Sequence, residues 1–235
     1  MRKGNPKKNK DTDYLLICPI CKNIPENEQE DFINELNYKI KSFHQGQYIA
    51  RQGDPVTALY VLLKGRVKAE MISESGVTLH IETIYAPNPL ASAFLFAEIN
   101  QFPVNVVALK DCEVMMIPKE SIMKQLTSNE TFLREFMAFN SNRTHFISDR
   151  LKFLSNKSIK GKLAQYILAR AKGADFIMDM NQTNLAEYFG VARPSLARCL
   201  SEMINDKIIS IEKRNGKILD FAKIKKLILH NSKYD

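Results

Sequence analysis

Between Glu130 and Leu154 the chain runs for 25 residues without a glycine or a proline. Such a stretch reads as one helix, about 37 Å long at 1.5 Å per residue. Phe132, Phe136, Phe139, Arg143, Phe146, Arg150 and Phe153 recur along it at alternating steps of four and three, a heptad seam of about three repeats. A helix of this length is too long for a small domain to bury alone. A partner helix from a second subunit is the natural cover, and a twofold dimer is its commonest form. Phe132, Phe136, Phe139, Phe146 and Phe153 are therefore the expected dimer-interface residues. The alternative is an amphipathic helix packed on its own domain.

Before this helix the chain reads as β-structure. Glycine is scarce, and Gly46, Gly53, Gly65 and Gly76 punctuate strand-like runs at Tyr48–Ala50, Ala58–Lys64, Arg66–Ile72 and Val77–Tyr85. Apolar and polar residues alternate there, as half-buried strands require. Gly53-Asp54-Pro55 and Ser73-Glu74-Ser75-Gly76 are turn sequences. Further strands are expected at Val104–Leu109 and Glu113–Ile117. Short strands at this spacing predict a sandwich or jelly roll.

After the long helix the pattern changes to short helices. Asn156 to Gly173 predicts a helix, with Ser158 as a cap and Gly173 as its stop. Thr183–Leu200, TNLAEYFGVARPSLARCL, then places Leu185 and Phe189 on one helix, Gly190 in a tight turn, and Leu196 and Leu200 on the inner face of a second helix. Two short helices about a glycine turn form a helix-turn-helix. Pro194 suits the first turn of the second helix. Its outer face carries Arg193, Ser195 and Arg198, and the start of such a helix enters the major groove. Arginine can hold guanine O6 and N7 together. Ile208–Ile211 and Ile218-Leu219 flank a polar turn, Glu212–Lys217, and predict a β-hairpin wing with a basic tip of Lys213, Arg214 and Lys217. Thr183 completes the expected DNA contacts.

Charge supports that placement. Residues 156–235 carry 15 Lys and Arg against 8 Asp and Glu, whereas residues 1–155 carry 19 against 18. A basic C-terminal third on a nearly neutral body suits a polyanion partner. No apolar run approaches the roughly 18 residues of a membrane span, the lysine-rich start leads into no apolar signal, and four cysteines are too few for a disulfide framework. A cytoplasmic protein without a membrane partner is expected. The expected architecture is α+β: a basic tail and entry segment at 1–25, a double-stranded β-helix (jelly-roll) sensory domain at 26–129, a dimerisation helix at 130–155, and a winged helix-turn-helix at 156–235.

This order of parts resembles the cyclic AMP receptor protein/FNR superfamily of transcription regulators. The resemblance rests on Gly46-x-Tyr48-Ile49-x3-Gly53-Asp54, on Leu59-Tyr60-Val61-x3-Gly65-x-Val67, and on Asn184-Leu185-Ala186-x3-Gly190-Val191-x-Arg193-x4-Arg198. It implies a homodimer on a double-stranded, inverted-repeat DNA operator, with RNA polymerase as a further partner and no enzymatic activity. Arg193 and Arg198 match the family's DNA-reading arginines. Pro194 stands where the family usually has a glutamate, a departure within the base-reading set.

The sensed signal follows from departures. The family's phosphate cassette is replaced at Phe102-Pro103, and no Lys or Arg lies between Lys68 and Lys110, so cyclic AMP is not expected. An FNR-type cluster needs four cysteines. Here Cys18 and Cys21 form a CxxC without a third N-terminal partner, and Cys112 and Cys199 lie elsewhere. The CxxC could bind zinc, form a redox pair or mark a turn.

The apolar segment APNPLASAFLFA at 86–97, followed by Phe102-Pro103-Val104, is similar to haem-dependent nitrosative-stress regulators. That similarity implies a haem effector pocket walled by Leu90, Ala91, Phe94, Phe96 and Phe102, with Met71 and His145 as candidate iron ligands. The alternatives are another apolar effector, or residues that only fill the roll. A cupin-type enzyme would need a metal cluster for which His44, His80 and Glu82 lack the spacing. A small-molecule scaffold that never touches DNA leaves Arg193, Arg198 and the basic wing unused.

Overall fold

The structure, a computed structural model, describes residues 2–3, 10–72, 78–156 and 158–229. Most of the basic tail and the turn at Ser73–Gly76 lie outside the described residues. The chain forms two compact units, Met1–Met71 with Ile81–Phe146, and Ile72–His80 with Ile147–Asp235.

The N-terminal unit begins with β1 (Arg2–Lys3), α1 (Lys10–Leu16) and α2 (Glu26–Asn34). Eight strands and a helix follow: β2 (Lys39–Phe43), β3 (Tyr48–Ala50), β4 (Ala58–Lys64), β5 (Arg66–Ile72), β6 (Thr78–Tyr85), β7 (Asn88–Leu90), β8 (Asn105–Ala108), β9 (Cys112–Pro118) and α3 (Lys119–Ser128). They form two sheets, ordered β1-β2-β9-β4-β7 and β3-β8-β5-β6. In the first, Leu59 lies opposite Ile117 and Val61 opposite Met115. In the second, Val67 lies opposite Ala108 and Ala69 opposite Val106. The inward side chains of both sheets merge in one core with Ile20, Ile33, Phe102 and Phe132, the arrangement of a β-sandwich. The strands expected from alternation form within a residue or two of their predicted limits. β2 was not expected, because its buried side chains, Ile40 and Phe43, are three apart and so break the period of two.

The long helix α4 spans Glu130–Ser155. The C-terminal unit adds α5 (Ile159–Leu168), β10 (Asp175–Ile177), α6 (Gln182–Phe189), α7 (Arg193–Asn205), β11 (Ile209–Glu212), β12 (Asn215–Ile218) and α8 (Phe221–Leu229). The Ser158 hydroxyl caps α5 by accepting from the Gly161 amide at 2.9 Å. α5 stops at Leu168, earlier than expected. Gly173 serves a later turn, at φ 65°, where Lys172 and Asp175 bridge into β10. β10, β12 and β11 form a three-stranded sheet, and Leu163, Tyr166, Phe189, Leu196, Met203 and Ile224 fill the core behind it. The fold is thus mixed α+β: a β-sandwich, a long helix and a helix-turn-helix with a wing. Among the described residues no helix is long and apolar enough to cross a membrane.

Candidate nucleic-acid interface

The site is built on α6 and α7. Asn181 opens α6 by accepting the Asn184 amide at 2.8 Å, and Gly190 closes it in the left-handed region at φ 65°. Glycine adopts that φ without steric cost, and α7 can start three residues later. Leu196, Leu200 and Met203 are buried along one side of α7. The 3.6-residue period therefore sends Arg193, Ser195 and Arg198 outward, and all three are exposed. The same outer face continues through Ser201 and Asn205. Sequence reasoning missed these two, although the spacing from Arg198 could have supplied them. Thr183 is exposed in the first turn of α6, where free amides and the helix dipole suit a phosphate.

The wing is tighter than expected. β11 and β12 pair Glu212 with Asn215, so the turn holds only Lys213 and Arg214. Lys213 sits at φ 57°, and Lys217 lies on β12 beside Ser210. All three cations are exposed. Neither they nor Arg193 and Arg198 have a recorded side-chain ion pair among the described residues. The neighbouring α7 and wing thus present five exposed cations.

Two cations, the buried Arg150 and the half-buried Lys162, hold α6 in place, and neither role was foreseen. Arg150 is only 5% exposed. Its guanidinium donates to the His80 carbonyl at 2.6 Å and to the Tyr188 carbonyl, 3.9 Å from the Tyr188 ring centroid. The Lys162 ammonium donates to the Phe189 carbonyl at 3.0 Å. Both lie where a helix C-terminus exposes unpaired carbonyls. Burial lowers the pKa of each from its ordinary value. They fix the last turn of α6, from which the helix-turn-helix angle follows.

Two well-packed sets of aromatics stand where the dimer seam was expected. Phe132 and Phe136 are buried in the N-terminal core, with ring centroids 6.0 Å apart. Phe139 packs partly buried on that core. Phe153 stacks on Tyr188 and Phe189, at 5.3 Å from each, in the C-terminal unit. Between them Arg143 pairs with Glu82, at 2.9 Å for the Nη1 bond, and lies over the Phe146 ring at 4.7 Å. Phe132, Phe136, Phe139 and Phe153 therefore pack on their own chain, while Phe146 is half-buried beside Arg143 of the same helix. The reason is size: the largest apolar groups find cover first within the chain. A different stripe is open, with Met137 at 61%, Ile147 at 49% and Leu151 at 67% exposed.

Of the expected effector residues, Leu90, Ala91, Phe94, Phe96 and Phe102 share the N-terminal core, whereas Met71 and His145 are not part of it. Leu90 and Phe102 are fully buried core residues, and Phe102 meets the Tyr60 ring edge-on at 5.2 Å. Phe96 packs against Phe136 at 6.3 Å. Ala91, at φ 51°, opens a 3-10 turn, Ser92–Phe94, whose Ser92 hydroxyl donates to Asn140 at 2.8 Å. A cavity of about 330 Å³ adjoins this segment, lined by Gln52, Gly53, Phe94, Ile99, Gln101, Phe102 and Pro103. No lining residue can ligate iron as imidazole, thiolate, thioether or phenolate. Met71 is half-buried on β5 and His145 is exposed on α4, and neither borders the cavity. These residues do not fit a haem there.

Cys18 and Cys21 are buried, and the Cys21 amide donates to the Cys18 carbonyl at 2.8 Å. Burial pushes the Cys18 thiol up to about 12 and the Cys21 thiol well above its ordinary value. The CxxC is the turn after α1. Among the described residues no group of three or more His, Cys, Asp or Glu could hold a metal ion.

Comparison with known proteins places this architecture. Residues 40–129 match the model of the cyclic nucleotide-binding domain, and residues 161–227 match that of the Crp-like helix-turn-helix domain. The chain belongs to the Crp/Fnr family of transcription regulators. This Crp/Fnr protein is 23% identical over 214 residues to the anaerobic regulatory protein of Bacillus subtilis, covering 88% of this chain and 89% of the relative. It is 25% identical over 223 residues to the fumarate and nitrate reduction regulatory protein of Vibrio cholerae, covering 90% and 87%. Its fold is similar to that of the c-di-GMP-responsive global regulator CLP of Xanthomonas campestris, at a TM-score of 0.63 and 15% identity over 78% of this chain and 94% of that one. The relatives are transcription regulators, not enzymes, and this chain is a DNA-binding regulator of the same kind.

Proposed function

We propose that this regulator works as a homodimer on an inverted-repeat operator. Arg193 and Arg198 read bases in the major groove, Ser195 assists them, and Thr183, Lys213, Arg214 and Lys217 meet phosphates. The observation that carries the reading is the outer face of α7, where the arginines stand exposed with no ion pair among the described residues while Leu196, Leu200 and Met203 anchor the helix behind them. RNA polymerase is the further partner, and the cytoplasm the setting, that such a role requires.

The dimer forms on the open stripe of α4. Met137, Thr144, Ile147 and Leu151 are exposed and follow steps of seven, three and four, the a/d pattern of a two-helix seam. The phenylalanines support this helix from within each chain.

The signal is a small apolar effector of the sandwich domain. The cavity beside Phe94 and Phe102 supports this reading. The lack of Lys or Arg from 69 to 109 argues against a phosphate-bearing nucleotide. Haem, suggested by the sequence of segment 86–97, is a second reading that needs a site other than this cavity, whose lining offers no iron ligand. An absorption spectrum after haem reconstitution separates the two: a Soret band unshifted from free haem leaves the apolar effector standing.

The operator reading is tested by selecting binding sites from random duplexes and titrating variants on the winner. Arg198→Ala is expected to lose about 1–3 kcal/mol on that site and to relax one base position. Lys213→Ala is expected to weaken all sequences alike and reduce the salt slope by about one unit. Wild-type affinity and selectivity in Arg198→Ala would remove the recognition helix from the reading.

A further inference from the structure

In the C-terminal unit, residues of α5, α7 and α8 and their flanking turns line an open groove of about 670 Å³. That volume lies within the roughly 300–1,000 Å³ of small-molecule sites. Its floor is apolar, formed by Ile159, Ile208 and Leu227. Its rim is cationic, with Lys160, Lys223 and Lys226. Cys199 of α7 lines it as well, half-buried.

The rim cations are not equivalent. Lys160 is bound to Glu202 at 2.8 Å and lies 3.9 Å from Asp206, which also borders the groove. Lys223 holds Asp220 at 3.6 Å in an exposed pair, which contributes little. Lys226 has no ion pair recorded among the described residues. Ser158 and Ile159 bring the N-terminal, positive end of the ten-residue α5 to the same groove. An occupant must therefore offer an apolar body to the floor and a single anionic head to Lys226 and Lys223. It must also keep that head away from Asp206.

We propose that this groove binds an amphipathic carboxylate of the fatty-acid class, with its chain on Ile159, Ile208 and Leu227 and its head on Lys226 and Lys223. A neutral lipid would leave the lysines unused, and inorganic phosphate would leave the apolar floor open. The site is independent of the operator reading, since it shares none of the DNA-contact residues.

Cys199 provides the test. Cys18, Cys21 and Cys112 are buried, and Cys199 is the one described cysteine with partial access. In the full-length protein its alkylation by N-ethylmaleimide is followed by mass spectrometry, with dodecanoate, dodecanol or inorganic phosphate added. Dodecanoate is expected to slow modification of Cys199 about tenfold, at a concentration where dodecanol and phosphate do little. The exposed change Lys226→Glu is expected to raise the dodecanoate concentration needed by about tenfold, and Lys226→Gln by less. Calorimetry on Cys199→Ser confirms binding without the probe thiol. Equal protection by dodecanol would overturn the proposal, as would no protection up to the solubility limit. Protection that grows with protein concentration alone would also overturn it, by giving the groove to a second copy of this chain.

Discussion

At the residue scale, the wing depends on a side chain that is absent. A Cβ on Gly216 would lie 2.2 Å from the Phe176 ring, because β12 carries Gly216 directly opposite Phe176 of β10. Gly216→Ala is expected to lower stability by about 1–3 kcal/mol, the usual cost of overpacking. Urea unfolding measures it, and Phe176→Leu in the same chain should recover most of the loss. If the single change were neutral, the wing would not seat on β10 this way. Cys18 supports a second prediction. Burial keeps its thiol protonated in the fold, so the associated stability is complete below the ordinary value near 9.0 and is lost as pH rises from there towards about 12. The decline in stability across that alkaline range should be shallower in Cys18→Ser than in wild type. Identical slopes would mean that the thiol titrates as an exposed one. Single residues were the least legible part of the sequence. Arg193 and Arg198 could be placed on the exposed side of α7 because a motif fixes their position. Arg150 and Lys162 were missed because carbonyl groups hold them, and a backbone carbonyl leaves no trace in composition.

Among elements, α4 separates what periodicity can establish from what it cannot. The absence of Gly and Pro gave the helix to within one residue at its end. The heptad then had two solutions, because apolar residues stand on both faces. The phenylalanines won on hydrophobicity, and the structure puts them inside. Which stripe is inside depends on what α4 meets from α2, β6, the 3-10 turn and α6, and those contacts are far away in sequence. The two faces should respond differently to mutation. Phe136→Ala removes a buried ring and is expected to cost about 3–5 kcal/mol of folding stability, with dimer affinity little changed. Ile147→Glu with Leu151→Glu changes exposed positions and should leave thermal stability of the monomer near wild type while light scattering reports monomer. A dimer that survives the double change would place the interface off this stripe. The wing shows the same limit. Its two strands were legible, but β10 is only three residues long, with one buried side chain among exposed neighbours. No alternation is readable over such a length.

On the scale of the whole molecule, charge and symmetry act together. The basic excess belongs to residues 156–235, and the proposed dimer stripe belongs to α4, so in the proposed assembly one element pairs two copies and another binds the polyanion. Twofold pairing makes the two α7 helices equivalent, and equivalent helices require half-sites of opposite sense about one helical turn apart, roughly 34–36 Å. That spacing is a phase as well as a distance. Inserting five base pairs at the operator centre turns one half-site to the far side of the duplex, where a single dimer cannot reach both. Wild-type affinity is then expected to fall to that of an isolated half-site, measured by titration on a labelled duplex. The Ile147→Glu, Leu151→Glu chain has no such constraint. It should bind the original and the interrupted operator equally, at the half-site level, and retain the salt dependence of one subunit. A wild-type protein indifferent to the insertion would show that the two reading heads are not tied together by α4.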